Sequence, residues 1–171
     1  VLEDCCQADG GSFNGKRLGS IGNAGAFSFN YFKIISAGEG GAVTTNDELL
    51  YQRALIYHDG GSSFRAHASE LKTPIFVGAQ YRSNEIAGAI LRVQMTRLDG
   101  ILADLSRVKK IFVSSLEGGQ NIKFVRPNDI EGDCGTHVGF MFQSEESARR
   151  FAAAEGVGGS VLIDSKKHVY F

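Results

Sequence analysis

From Val1 to about Asp59 short apolar runs alternate with glycine-rich breaks: VLED, then ADGGSFNGKRLGSIGNAG, then AFSFNYF, KIISAGEGG and AVTTN. Aromatic and β-branched runs bounded by Gly, Asn and Asp predict short strands joined by tight loops. VLED reads as the end of a buried strand without a lead-in, so the chain is expected to be a piece of a longer one. Asn46 or Asp47 can cap a helix, because an Asx oxygen accepts the free N–H groups of a first turn. Leu49, Leu50, Arg53, Ala54 and Tyr57 then recur at helical spacing, and Gly60-Gly61 should stop that helix. Residues 60–74, GGSSFRAHASELKTP, show no period and read as a long loop, a class usually functional or mobile.

A second helix is predicted to open at Ser83 or Asn84, with Ile86, Ile90, Val93, Leu98, Ile101, Leu105, Val108 and Phe112 in step, and to end at Gly118-Gly119. Its length exceeds that of an ordinary helix, so a bend is expected near Asp99-Gly100. Beyond it NIKFVRP and THVGFMFQ read as strands, SEESARRFAAAEGV as a helix capped by Ser144, and GSVLID as another strand. This order suggests a small α+β unit. The expected division is 1–80, 81–118 and 119–171.

Composition narrows the classes. A net charge of -1 gives no basic field of the kind that attracts nucleic acid or anionic lipid. Three cysteines, two of them adjacent, suit a reducing compartment, and no apolar run reaches the length of a membrane span, so a soluble cytoplasmic protein is expected. His58, His67, His137 and His168 lack zinc-ligand spacing with Cys5, Cys6 or Cys134. Arg65, His67 and Lys72 in the long loop read as solvated side chains, with contact to a sugar or nucleotide as the alternative.

Candidate chemistry lies in three motifs. Asp4 and Gln7 fall at the predicted carboxyl end of a strand, where open α/β sheets place ligands. A buried carboxylate there needs a partner, and a protonated pyridine nitrogen is a suitable one, although an isolated D-x-x-Q is otherwise an ordinary turn cap. In SFNYFKIISAGEGG, Lys33 sits between a hydrophobic strand and a glycine-rich loop, a setting that desolvates an amine and makes it a nucleophile and base. Ser28, five residues earlier, can offer its hydroxyl to a phosphate. The third motif, GAQYRSNE, carries Gln80 at a polar helix entrance. One motif competes: residues 10–16, GGSFNGK, match G-x4-G-K, which would make Lys16 a P-loop lysine binding nucleotide. Arg17 stands where a P-loop needs Ser or Thr, and KRLGSIG continues as a turn rather than a helix.

EDCCQADGG, GKRLGSIGNAGAFSF, KIISAGEGG and AVTTND, in this order and spacing, resemble consecutive blocks of the DegT/DnrJ/EryC1/StrS family of pyridoxal-phosphate (PLP) sugar aminotransferases. The resemblance implies part of the PLP-dependent transferase type I (aspartate aminotransferase-like) α/β fold. The later portion of the large domain would be followed by a linking helix and part of the small α+β domain. It implies that Asp4 meets the pyridine nitrogen, Gln7 lies near the ring oxygen, Ser28 holds the phosphate and Lys33 forms the Schiff base. GAQYR is similar to the family's G-x-N-x-R block, in which Gln80 replaces the asparagine that reaches the phosphate of the neighbouring subunit of a homodimer. A sister branch of dehydratases has histidine at the lysine position, so Lys33 implies transamination. The donor implied is glutamate or glutamine, and the acceptor a keto group on a nucleotide-linked sugar or cyclitol. A 171-residue fragment of such an enzyme is expected to bind PLP weakly or not at all.

Overall fold

The computed structural model describes residues 1–61, 65–118 and 122–164, so His168 and the expected helix end at Gly119 lie outside the described residues, as does the side chain of His67. Leu2–Asp4 forms β1. The chain then makes a hairpin of β2, Ser12–Phe13, and β3, Lys16–Arg17. Asn14 and Gly15 turn that hairpin with φ of 50° and 73°, the left-handed pair a two-residue turn between twisted strands requires. GGSFNGK therefore forms a β-hairpin, with no helix opening after Lys16, and the P-loop alternative lacks its phosphate-binding helix start.

Strand β4, Ala24–Ser28, pairs in parallel with β1 in the register Leu2 to Ala24, Glu3 to Gly25 and Asp4 to Ala26. Strand β5, Gly41–Thr44, covers the other edge of β4 antiparallel, giving the order β1-β4-β5. AFSFNYF was expected to stay extended to Phe32, yet β4 stops at Ser28. Asn30 is the reason: its side chain accepts from Phe32 N–H (3.1 Å) and its carbonyl from Lys33 N–H (3.1 Å), a turn that competes with a ladder.

One carboxylate fixes the turn that feeds β4. Glu3 accepts from the amides of Gly19 (2.8 Å), Ile21 (2.7 Å) and Gly22 (2.6 Å). These bonds, Gly22 first, hold its pKa below the ordinary 4.5. A group depressed in the folded state contributes stability above its unfolded pKa and loses it as pH falls through the folded value. Acid melts of the intact protein should therefore show stability lost below pH 4.5, and Glu3→Gln should be less stable at neutral pH with a flatter acid limb. An acid limb identical in the two proteins would show that the clamp contributes nothing.

Helix α1, Glu48–His58, starts at Asp47, whose side chain accepts from Leu49 and Leu50 N–H. The expected apolar face is reversed here: Leu49, Leu50 and Tyr57 are exposed, while Gln52 and Ile56 are buried. Gln52 is inside because a loop needs its oxygen, which accepts from Lys72 N–H (2.9 Å), Thr73 N–H (3.0 Å) and Thr73 Oγ1 (3.0 Å). The long loop also contains a short 3₁₀ turn, Ala66–Glu70, that its sequence did not announce.

Helix α2, Glu85–Leu116, opens at Asn84, whose side chain accepts from Ala87 N–H, and runs unbroken through Asp99 and Gly100. A mid-helix glycine costs only about 1 kcal/mol, too little to interrupt a helix packed on both sides of it. Of its apolar series Leu98 is buried, whereas Ile86 and Val93 are exposed. Leu98 and Leu102 lie against Gly10, and Gly135 fits against the backbone of Leu105 and Ser106, so α2 packs against both the glycine-rich segment and residues 127–137, which also bond to each other through Ser12 N–H and the Gly132 carbonyl (2.9 Å). Lys109 and Asp133 close that contact at 2.9 Å.

The C-terminal unit pairs β6, Ile122–Phe124, with β7, Phe140–Phe142, antiparallel, and α3, Glu145–Ala152, packs on them. Ser144 caps α3 by accepting from Ser147 N–H, as expected. Phe140 is the hub of this unit, with Phe124 at 5.4 Å, Phe151 at 5.2 Å and Phe112 of α2 at 6.2 Å between ring centroids. GSVLID is not the expected strand: Leu162–Asp164 forms a 3₁₀ turn, because Arg149 on α3 donates to Asp164 (3.0 Å) and draws the segment inward.

Candidate functional site

Lys33 stands on the loop between β4 and β5. Phe29 N–H donates to Gly40 carbonyl (2.9 Å) and Ala37 N–H to Phe29 carbonyl (3.0 Å), so the loop is closed at its base. Ile35, 2% exposed, plugs it into the core. The backbone at Lys33 is thus fixed on both sides, while its half-buried side chain makes no hydrogen bond or ion pair among the described residues.

The parallel pairing puts Asp4 opposite Ala26, two residues before Ser28, so both lie at the carboxyl ends of adjacent strands. Cys5 N–H donates to Ala26 carbonyl (2.9 Å) and continues the register past Asp4. The thiol and amide of Cys6 hold the Asp4 carboxyl below its ordinary range, and the charge of Lys33 adds to this. Asp4, Ser28 and Lys33 are therefore brought to one edge of the sheet. Asp4 differs from expectation in being exposed rather than buried, since none of the described residues covers the strand end. Its low pKa comes from hydrogen bonds and a cation, not from a dry pocket.

The other two residues lie elsewhere. Gln7 is exposed and lines a cleft of about 480 Å³ shared with Asp133, Thr136 and His137. Gln80 lies on the end of α1: Ala79 N–H donates to Tyr57 carbonyl (2.7 Å), Tyr81 N–H to His58 carbonyl (2.8 Å), and Asp59 and Gln80 form a bridge. These donors satisfy the terminal carbonyls a helix leaves open. Gly78 permits the fit, because a Cβ there would stand 2.3 Å from the Tyr57 carbonyl oxygen. Arg82 Nε donates to Gln80 Oε1 (2.8 Å), which leaves the amide nitrogen of Gln80 as the outward donor.

Two buried acids escaped the sequence reading. Asp59, 4% exposed, pairs with Arg65 (2.5 Å) and Arg82 (3.1 Å), so Arg65 is engaged within the chain. Asp9, 2% exposed, has no hydrogen-bond partner of ordinary geometry for either carboxylate oxygen among the described residues. Burial pushes its carboxyl up to about 6, against the field of Lys33. The only signal in the sequence was an acid set among Ala8, Gly10 and Gly11 just past a strand end. Cys5, Cys6 and Cys134 are free thiols, and burial raises Cys5 to about 11. Among the described residues no cluster of His, Cys, Asp or Glu is placed to hold a metal ion, and no helix is long and apolar enough to cross a membrane.

The model of the DegT/DnrJ/EryC1/StrS aminotransferase family matches residues 1–158. The chain belongs to that family. A dTDP-3-amino-3,6-dideoxy-alpha-D-galactopyranose transaminase of Aneurinibacillus thermoaerophilus is 38% identical to this family member over 143 residues, 83% of this chain and 36% of the relative. The sugar aminotransferase CalS13 from Micromonospora echinospora superposes with a TM-score of 0.70 at 26% identity, covering 89% of this chain and 42% of that one. The E. coli GDP-4-keto-6-deoxy-D-mannose-3-dehydratase with bound hydrated PLP superposes with a TM-score of 0.75 at 21% identity, covering 88% and 42%. The fold is thus part of the type I aminotransferase fold, as the sequence implied. This DegT/DnrJ/EryC1/StrS chain spans about a third of the length of the curated relatives it matches.

Proposed function

We propose that the protein carrying this chain uses PLP to move an amino group from glutamate or glutamine to a keto group of a nucleotide-linked sugar or cyclitol. The observation that carries this reading is the convergence of Asp4, Ser28 and Lys33 at one sheet edge, with the charge of Lys33 felt at Asp4. The donor set fits the cofactor: an ionised carboxylate for a protonated ring nitrogen, a hydroxyl without a partner in the described chain for a phosphate, and an amine without one for the aldehyde carbon. When bound, PLP supplies an electron sink for the electrons released at the amino-acid α-carbon.

The chain's own residues do the rest. Asp4 stays ionised and holds the ring nitrogen protonated. Ser28, at the end of β4, would hold the phosphate. Lys33, on a loop closed at its base, takes a proton at its Nζ from one carbon and returns it to another. Gln7, three residues after Asp4, would be the residue to donate to a ring substituent. In a cytoplasmic homodimer, Gln80 offers its outward amide nitrogen to the phosphate held by the partner subunit. The dTDP- and GDP-sugar names of the relatives support the nucleotide-sugar class, and glutamine:2-deoxy-scyllo-inosose aminotransferases support the cyclitol alternative and glutamine as donor. Borohydride treatment of the intact protein with PLP should leave a mass increment on the peptide carrying Lys33. A mark on any other lysine, or none, sinks the reading.

A further inference from the structure

Asp59 stands where a carboxylate is least favoured. It caps the C-terminus of α1, the end at which a helix gathers about half a negative charge, and it is 4% exposed. Burial and repulsion both oppose it there, and two guanidiniums offset them. Arg65, from the long loop, donates to Asp59 from Nε (2.5 Å) and Nη2 (3.3 Å). Arg82, from the block that lies on the end of α1, brings its Nε to 3.1 Å from Asp59 Oδ1. The same Nε donates to Gln80 Oε1 at 2.8 Å. A guanidinium carries donors only, so the amide that meets it must turn its oxygen inward and its two N–H groups outward. Gln80 is exposed, and an exposed glutamine otherwise keeps a rotamer freedom that is costly to remove. Its backbone is already set by the bridge to Asp59 and by the bonds of Ala79 and Tyr81 to the helix end.

We propose that Asp59 is a positioning residue for Gln80: its buried carboxylate fixes Arg82, and Arg82 fixes the Gln80 amide with its donors turned outward, toward the phosphate held by the partner subunit. This inference rests on the assignment of Gln80 above. Both guanidiniums are engaged by Asp59, so the donor this corner presents is a neutral amide rather than a cation. Such a donor contributes direction at hydrogen-bond range, and that direction is set by a residue that touches no ligand itself.

The test uses the intact protein and two readouts. With PLP removed, nitrogen relaxation of the Gln80 side-chain amide should report an ordered group in the parent and a mobile one in Asp59→Asn, with the exposed amide of Gln7 unchanged as the internal reference. Arg82→Met should free the amide in the same way without disturbing the buried acid, which keeps Arg65. An amide as ordered in either variant as in the parent overturns the proposal. The second readout compares the affinity for PLP with that for pyridoxal, which lacks the phosphate. Asp59→Asn should lower PLP affinity about tenfold and leave pyridoxal affinity unchanged. In a Gln80→Ala background the same substitution should have no further effect. A purely structural role would weaken both ligands alike in either background, and that result also overturns the proposal. Gln80→Ala alone scores the underlying assignment: an unchanged preference for PLP over pyridoxal removes Gln80 from the phosphate, while the order of its amide still decides the role of Asp59.

Discussion

Lys33→Ala in the intact protein should lower amino transfer by about a thousandfold or more and remove the borohydride-dependent mass mark, while the melting temperature stays nearly unchanged. The separation of effects follows from the environment. Lys33 makes no hydrogen bond or ion pair within the described chain, so its removal exposes little and breaks nothing, whereas its loop is held by the backbone bonds of Phe29, Ala37 and Gly40 and by the buried Ile35. Lys33→Arg should be equally inactive although it keeps a positive charge near Asp4, because a guanidinium does not give up its proton in a protein. Activity of either variant within tenfold of the parent would remove Lys33 from the reaction, and a large drop in melting temperature would make it a structural residue.

The second large effect is mechanical. Gly78→Ala should destabilise the intact protein by about 3 kcal/mol, the upper part of the range for overpacking, because the new methyl meets backbone on three sides. Its neighbours are the Tyr57 carbonyl oxygen at 2.3 Å, the Ile56 carbonyl oxygen at 2.8 Å and the Tyr57 carbonyl carbon at 2.8 Å, none of which is a flexible side-chain tip. Relief requires lifting residues 78–81 off the end of α1, which strips the donors from its last carbonyls and moves Gln80. Denaturant melts should show the loss, and PLP affinity should fall with it. Gly100→Ala is the control, since a Cβ at that helical position meets nothing within 4 Å, and a gain of about 0.5–1 kcal/mol is expected. Equal melting of Gly78→Ala and the parent would mean that the block does not rest on α1.

Much of this was legible in the residues. Side-chain chemistry that acts within a few residues, such as the caps at Asp47, Asn84 and Ser144 and the glycine stop after α1, could be read directly, because the donor and acceptor are close in sequence. The placement of Asp4 and Ser28 at neighbouring strand ends followed from a familiar order of blocks. What escaped depended on partners far along the chain. Gln52 on α1 is inside because residues 72 and 73 need an acceptor, and Asp59 because two arginines converge on it. No local period encodes such demands. The failed strand at GSVLID has the same origin, since Arg149 on α3 decides its shape.

The ion cluster at the end of α1 also limits where an anionic ligand can be held. Two guanidiniums, Arg65 and Arg82, converge there on one carboxylate. The helix adds roughly half a negative elementary charge at that terminus. What remains is about half a positive charge, so this corner projects far less potential into the solvent than its two arginines would alone. An anion approaching this corner therefore gains far less than two unpaired arginines would give it.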